Sequence, residues 1–124
     1  MKKILLFLLL LVPLLANAQD WFTANAVRFD FGKGWGEWEK RNVRVLQDRR
    51  VVKVFARETH IFIQASDEYA KEEDARGNSL VTWGCVDAYG EKCVLQLIYN
   101  ADINAIYLKI IYKDKSICYN LIPD

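Results

Sequence analysis

The chain has 124 residues, with 17 lysines and arginines against 16 aspartates and glutamates. This balance of charge offers no electrostatic footprint for nucleic acid or for an acidic membrane surface. Hydrophobic residues make up 52% of the sequence and aromatic residues 13%, which excludes an intrinsically disordered chain.

The first 18 residues have the pattern of a secretory signal peptide. Lys2 and Lys3 form a basic head, residues 4–15 are apolar, and residues 16–18 read Ala-Asn-Ala, a small-x-small exit. The apolar run is shorter than the roughly 20 residues of a membrane span, and no longer apolar run follows it. We therefore expect cleavage before Gln19, export to the periplasm or the medium, and a single β domain over residues 19–124 with no membrane span.

Short runs that alternate apolar and polar residues predict about eight β-strands, because side chains of a half-buried strand point alternately to core and solvent. In chain order the runs cover residues 27–31, 43–45, 52–54, 61–63, 80–86, 94–99, 106–112 and 117–122. No long helical pattern occurs. This spacing predicts an antiparallel sandwich or barrel.

Two gaps between these strands share the pattern D-A-x-G-polar, at residues 74–78 and 87–91. Aspartate favours the first position of a type I turn, and the glycine supplies the left-handed residue that follows. Each gap therefore predicts a hairpin with a one-residue bulge.

The turn at 87–91 sets the register of the C-terminal half. With Asp87 opposite Glu91, Cys85 lies opposite Cys93, and one face of the sheet becomes apolar throughout. The result is a four-stranded meander with Cys118 on the opposite face. The residues predicted on its inner face are Val81, Trp83, Cys85, Cys93, Leu95, Leu97, Tyr99, Ile106, Leu108, Ile110, Ile117, Tyr119 and Leu121.

Residues 66–77, SDEYAKEEDARG, have two interpretations. A long hairpin would place Tyr69 beside Trp83, with Ile61 and Ile63 further along the inner face. The alternative is a short helix with a serine cap and a glycine stop. We favour the hairpin because the helical period and the apolar face are both weak.

The stretch GKGWGEWEKR, residues 32–41, suggests a phosphate loop or a sugar platform. A phosphate loop needs G-x-x-x-x-G-K-[ST] between a strand and a helix, and these alternating glycines do not fit it. Trp35 and Trp38 offer two rings for a sugar, but indoles usually dominate the packing of a small domain. We expect these two to pack at a barrel rim or to fix the glycine loop to it.

The three cysteines of an exported protein suggest one disulfide and one remaining thiol. Directly opposed residues of an antiparallel pair have Cα atoms about 4.5 or 5.5 Å apart, a separation that a disulfide accepts. The sequence thus predicts a Cys85–Cys93 bridge, worth roughly 2.5 kcal/mol in the chain-entropy model. Cys118 remains as a buried thiol or a dimer bridge, and catalysis by it would need a base nearby.

The sequence carries no recognisable metal site, so we expect no metal and no cofactor. His60 is the single histidine, whereas zinc needs three or four N or S ligands at regular spacings. The acidic cluster lacks the ligand order of a calcium loop and predicts a solvated hairpin tip. Its members are Asp67, Glu68, Glu72, Glu73 and Asp74.

Residues 34–45 (GWGEWEKRNVRV), residues 81–97 (VTWGCVDAYGEKCVLQL) and the closing aromatic strands resemble those of small exported bacterial β-proteins of uncharacterised function. The resemblance spans most of the mature chain. It implies a short, exported, all-β protein, and it carries no activity, substrate or site.

Together these patterns predict an all-β protein: one antiparallel meander of about eight strands, closed as a small barrel or a tight sandwich. The architecture is lipocalin-like or streptavidin-like by analogy of fold and not of site. Our first functional hypothesis is a non-catalytic binding module for a small apolar ligand or a glycan, which would need a pocket of a few hundred Å³. The candidate ligand-binding residues at the open end of the barrel are Trp35, Trp38, Tyr69 and Trp83.

The alternative hypothesis is a protein-interaction module, such as an inhibitor or an accessory of an exported or surface protein. Its contacts would come from the hairpin tips at 74–78 and 87–91. A hydrolytic enzyme is the least favoured hypothesis, because no two of the 16 acidic residues are singled out on a shared cleft.

Overall fold

The computed structural model describes residues 19–123, and every regular element in this part of the chain is a β-strand. The predicted signal peptide, residues 1–18, lies outside the described residues. The strands are β1 (Gln19–Asp30), β2 (Glu39–Asp48), β3 (Val51–Phe55), β4 (Thr59–Gln64), β5 (Ala70–Glu73), β6 (Ser79–Asp87), β7 (Lys92–Asn100), β8 (Ala105–Ile111) and β9 (Ser116–Pro123). Nowhere in the described range does a helix have the length and hydropathy needed to cross a membrane.

The strands of the described range form one antiparallel sheet in the order β4-β3-β2-β1-β9-β8-β7-β6-β5. A further pairing between β4 and β6 closes eight of them into a barrel and leaves β5 as an extra strand beside β6. The predicted all-β fold is thus confirmed, and the barrel rather than the sandwich is the observed architecture.

Successive barrel strands run in opposite directions, so β1, β3, β6 and β8 end where β2, β4, β7 and β9 begin. We call this the open end of the barrel. The loops that meet there are residues 31–38, 56–58, 88–91 and 112–115.

The predicted register of the C-terminal meander is confirmed. Cys85 pairs with Cys93 and Trp83 with Leu95 between β6 and β7, and the inner face continues across β8 and β9. Both D-A-x-G turns form as expected, because Gly77 and Gly90 take φ values of 88° and 83° that suit glycine.

The hairpin interpretation of residues 66–77 is confirmed, but its consequence for β4 is wrong. The register of β5 would, if continued, place Gln64 opposite residue 88, yet Gln64 pairs with Cys85, three residues earlier. The irregular residues 65–69 absorb this odd shift, which exchanges the two faces of β4. Ile61 and Ile63 therefore point outward, and Phe62, only 2% exposed, enters the core.

The barrel interior is filled by side chains from alternate positions of its strands, as expected for eight strands. A cavity of about 10 Å³ lies inside, between Phe22, Trp83 and Leu97. A single water needs roughly 10–15 Å³, so the interior has no room for an organic ligand. Any larger site among the described residues must lie at an end or on the outer wall.

Candidate functional site

A cavity of about 710 Å³ lies at the open end of the barrel, within the roughly 300–1,000 Å³ that is usual for small-molecule sites. We call it the mouth cavity. Its lining residues are Val27, Phe29, Arg41, Asn42, Val43, Phe55, Ala56, Arg57, His60, Lys115, Ile117 and Tyr119.

The inner wall of the mouth cavity is apolar. Val27, Val43 and Tyr119 belong to the buried core, while Phe29 and Ile117 pair across β1 and β9 and are only partly buried. Alternate apolar side chains of these strands thus continue to face inward up to the open end, beyond the filled interior. A ligand that covers this wall would remove apolar surface from water, which is favourable.

The charged residues that line the mouth cavity are all basic: Arg41, Arg57 and Lys115, with His60 beside them. Arg41 Nη2 is engaged by Glu39 Oε1 at 2.8 Å. Arg57 and Lys115 form no ion pair with any residue of the described range. Neither cation is held in an ion pair, although Lys115 Nζ also lies 5.1 Å from the ring centroid of Tyr112 and its charge acts on Asp87.

An apolar wall below basic side chains suits a molecule with an apolar body and an anionic head. None of the lining residues is Asp, Glu, Ser or Cys, so the cavity presents no pairing of a nucleophile with a carboxylate.

The glycine stretch folds back along the outside of β1, and the N–H groups of its three glycines are already bonded, that of Gly36 to the carbonyl oxygen of Phe29 at 2.8 Å. Asp30 Oδ1 accepts hydrogen bonds from the N–H groups of Gly32 at 2.8 Å and Gly34 at 3.1 Å. Trp35 then forms a β-bridge with Asp30. The protein's own carboxylate thus occupies the position that an anion would take in a phosphate loop.

Both indoles of the stretch pack against cations of the outer wall. The Arg28 guanidinium lies 4.9 Å from the ring centroid of Trp35 and 4.7 Å from that of Trp38. Lys109 Nζ lies 5.4 Å from the ring of Trp35, and Tyr107 stacks with Trp38 at 6.0 Å between centroids. These contacts fix the glycine loop to the barrel wall.

The structure does not bring the four predicted ligand-binding aromatics together. Trp35 and Trp38 lie on the outer wall, and Trp83 is 3% exposed in the interior, where it fills the core. Tyr69 is 37% exposed and immediately precedes β5, outside the eight barrel strands, where the β5–β6 register sets it near the level of Trp83. Trp38 and Trp83 thus line different cavities, and a single site made of all four residues stays a prediction.

The predicted Cys85–Cys93 disulfide is not formed, although the two residues are directly opposed and buried. The N–H of Asp87 donates to the carbonyl oxygen of Glu91 at 2.9 Å. Since hydrogen-bonded pairs recur every two residues, Cys85 and Cys93 also form a hydrogen-bonded pair. Cβ atoms in such pairs are about 5.5 Å apart, wider than the roughly 3.5–4.5 Å of a disulfide.

The thiols are held in their protonated form. Burial, together with the neighbouring Cys93, raises the pKa of Cys85 to about 12, despite a hydrogen bond with Trp83. Burial and nearby carboxylates raise the pKa of Cys93 to about 11. Burial also raises the pKa of Cys118, on the outer face. Thiols of this kind are poor nucleophiles at neutral pH.

Over residues 19–123, no group of three or more histidine, cysteine, aspartate or glutamate side chains is arranged to hold a metal ion. The acidic cluster is interleaved with basic side chains: Arg50 pairs with Asp67 at 3.0 Å, and Lys71 with Glu73 at 3.1 Å.

The sequence did not single out Arg57, Lys115 or the apolar wall of the mouth cavity. Arg57 lies in the loop 56–58 and Lys115 in the loop 112–115, which are distant in sequence and form no local motif. The available signal was topological: in an up-and-down meander, alternate loops share one end of the barrel.

The chain matches no protein-family model, no curated protein and no solved structure. The resemblance to small exported bacterial β-proteins therefore stays a prediction, and the function has to be inferred from the site.

Proposed function

We propose that the chain is an exported, non-catalytic binding module whose mouth cavity takes a small molecule with an apolar body and an anionic head. The observation that carries this proposal is the cavity of about 710 Å³ in which every fully charged lining residue is basic. The filled interior supports the same placement, because it leaves the end of the barrel as the apolar site.

A single-chain fatty acid such as laurate has this chemistry. Its alkyl chain would cover the wall near Phe29 and Ile117, and its carboxylate would lie near Arg57 and Lys115. With about 14 non-hydrogen atoms at about 0.4–0.5 kcal/mol each, the binding free energy is about 6–7 kcal/mol. We therefore expect a Kd of about 10–50 µM.

Displacement of 1-anilinonaphthalene-8-sulfonate by laurate, followed by fluorescence, tests the proposal. Arg57→Gln and Lys115→Gln should each weaken laurate binding about 5- to 20-fold, because each removes one charge-assisted contact. Both side chains are exposed, so the variants should fold. Lys53→Gln, which removes a cation in the middle of β3 and outside the cavity, is the matched control.

The neutral analogue dodecanol separates the two parts of the site. Its affinity should fall when Ile117 is shortened to alanine and should not respond to the charge variants. Absence of saturable laurate binding, or an equal loss in Lys53→Gln, would rule out the mouth cavity as the site.

One observation favours a protein-interaction module as the second candidate. Tyr89, at the tip of the 87–91 hairpin, is 86% exposed. Hydrogen bonds to Asp87 hold the shape of the hairpin: Asp87 Oδ1 accepts the N–H groups of Tyr89 and Glu91 at 2.9 Å each, and Asp87 Oδ2 accepts the hydroxyl of Tyr112 at 2.9 Å. A partner protein seen by native mass spectrometry and lost in Tyr89→Ser would favour this function, and retention of the partner would exclude the tip.

A further inference from the structure

A second cavity, of about 660 Å³, lies on the outer wall of the barrel. Two aromatic rings, two amides and two basic side chains line it: Trp38, Tyr107, Asn25, Asn120, Lys40 and Arg41. We call it the outer groove. It is distinct from the mouth cavity and adjoins it at Arg41, which lines both.

The aromatic part of the outer groove is held in place and only partly covered. Trp38 and Tyr107 are stacked with an interplanar angle of 23°, and the Arg28 guanidinium lies against the Trp38 ring. Trp38 nevertheless remains 41% exposed. A fixed and partly exposed ring of this kind can pack against the C–H face of a sugar, because the ring face carries negative charge and the C–H groups are slightly positive.

The amide part of the outer groove is produced by a β-bulge. The pairing of β1 with β9 moves from Ala24–Leu121 to Ala26–Asn120, which leaves Asn25 as the extra residue. Bulges re-aim side chains in this way. Asn120 Nδ2 donates to Asn25 Oδ1 at 2.7 Å.

This hydrogen bond fixes the orientation of the two amides and leaves each with a polar group that can bond to a ligand. The Asn25 amino group and the Asn120 carbonyl oxygen have no other partner within the described range. A donor and an acceptor are thus presented side by side, as two neighbouring hydroxyls of a sugar require.

The charge of the outer groove indicates an acidic ligand. Arg41 is engaged by Glu39 Oε1 and by the carbonyl oxygen of Lys40, at 2.8 and 2.9 Å. Lys40 forms no ion pair with a residue of the described range. The lining includes no carboxylate, so one positive charge is uncompensated.

We propose that the outer groove binds a saccharide that carries a carboxylate, such as a uronic acid residue. The sugar ring packs on Trp38, its hydroxyls bond to the amides of Asn25 and Asn120, and its carboxylate lies beside Lys40. The proposal is independent of the mouth cavity, which would hold an apolar body instead.

Isothermal titration calorimetry with trigalacturonic acid tests this proposal, with cellotriose as the neutral probe. The wild-type protein should bind trigalacturonic acid more tightly than cellotriose. Trp38→Ala should weaken trigalacturonic acid binding at least about tenfold, and Lys40→Gln should weaken it about fivefold without affecting cellotriose.

Trp21→Ala is the matched control. Trp21 is 38% exposed, stacks on Phe55 at 5.7 Å and lies 5.0 Å from the Arg44 guanidinium, but it lines neither cavity. Its replacement should leave saccharide binding unchanged. Trp38→Ala should also keep laurate binding, which separates the groove from the mouth.

Three results would overturn the proposal: no binding of trigalacturonic acid, equal losses in Trp38→Ala and Trp21→Ala, or cellotriose binding as tight as that of the acidic trimer.

Discussion

Replacing Trp83 with alanine should leave a hole in the middle of the barrel. The indole is 3% exposed and borders the interior cavity of about 10 Å³. If the interior is filled as the structure shows, Trp83 acts as a core residue, and its loss should appear in stability rather than in ligand binding.

The magnitude follows from the buried area. A buried indole removes about 150–250 Å² from water, which at about 25 cal/mol per Å² corresponds to about 4–6 kcal/mol. Residual compactness of the unfolded chain lowers this figure, so we expect a loss of about 3–5 kcal/mol, as for other Trp→Ala changes in cores. Trp38→Ala, at an exposed position outside the core, should cost about 1 kcal/mol or less.

Urea unfolding followed by circular dichroism measures both losses. A domain of this size has a total stability of about 5–15 kcal/mol, so Trp83→Ala can approach the unfolding threshold. Trp83→Phe, which leaves a smaller hole, extends the measurement to a more stable variant. Added indole should restore part of the loss in Trp83→Ala, by about 1.4 kcal/mol at ten times its Kd.

Two results would refute the reasoning. One is a Trp83→Ala protein within about 1 kcal/mol of the wild type, since that would mean the indole is not packed. The other is stabilisation of the wild-type protein by indole as large as that of Trp83→Ala, since that would mean the interior already accepts a ligand.

Phe62→Ala should lower the free energy of unfolding by about 3–5 kcal/mol, and Ile63→Ala, at a 50% exposed position, by less than about 1 kcal/mol. If urea unfolding showed the reverse order, Ile63 and not Phe62 would face the core, as the sequence pattern predicts. The native protein should show no reactive thiol toward Ellman's reagent at neutral pH and three in denaturant, whereas one in denaturant would reveal a disulfide. Burial raises the pKa of Asp87, but hydrogen bonds from the hairpin backbone and from Tyr112 outweigh this effect and hold the pKa below its usual value. The stability advantage of the wild type over Asp87→Asn should therefore exist at pH 7 and disappear as the pH falls from about 4 through the lowered pKa. A constant difference in stability across this range would contradict the prediction.

The C-terminal meander was predictable because its information is local. The D-A-x-G turn at 87–91 fixes the register of β6 with β7, and a shift by one residue would expose the whole apolar face. Trp83 and Leu95, for example, follow from the turn at 87–91 alone.

The faces of β4 could not be predicted in the same way. The irregular residues 65–69 separate β4 from β5 and shift the register with β6 by an odd number of residues. No turn motif in the sequence indicates this shift. The hydrophobic pattern IFIQ favours two isoleucines over one phenylalanine on the buried face. The closed barrel instead selects Phe62 with Gln64, a buried amide that no sequence rule favours.

The two candidate sites escape sequence analysis for a related reason, since neither is encoded by a local pattern. Because the interior is filled, a ligand can bind only where strands end or bulge. At these places the regular hydrogen-bonded pairing of the strands no longer determines which side chains are neighbours. Arg41 shows this directly: it lies where the β1–β2 register breaks between Ala24 and Ala26, and it lines both the mouth cavity and the outer groove. The mouth cavity, on one side of this break, has an apolar wall and two cations without an ion pair. The outer groove, on the other side, has an aromatic ring and two paired amides. The two sites therefore require ligands of different chemistry. Loss of laurate binding should therefore not entail loss of saccharide binding in any variant that spares Arg41.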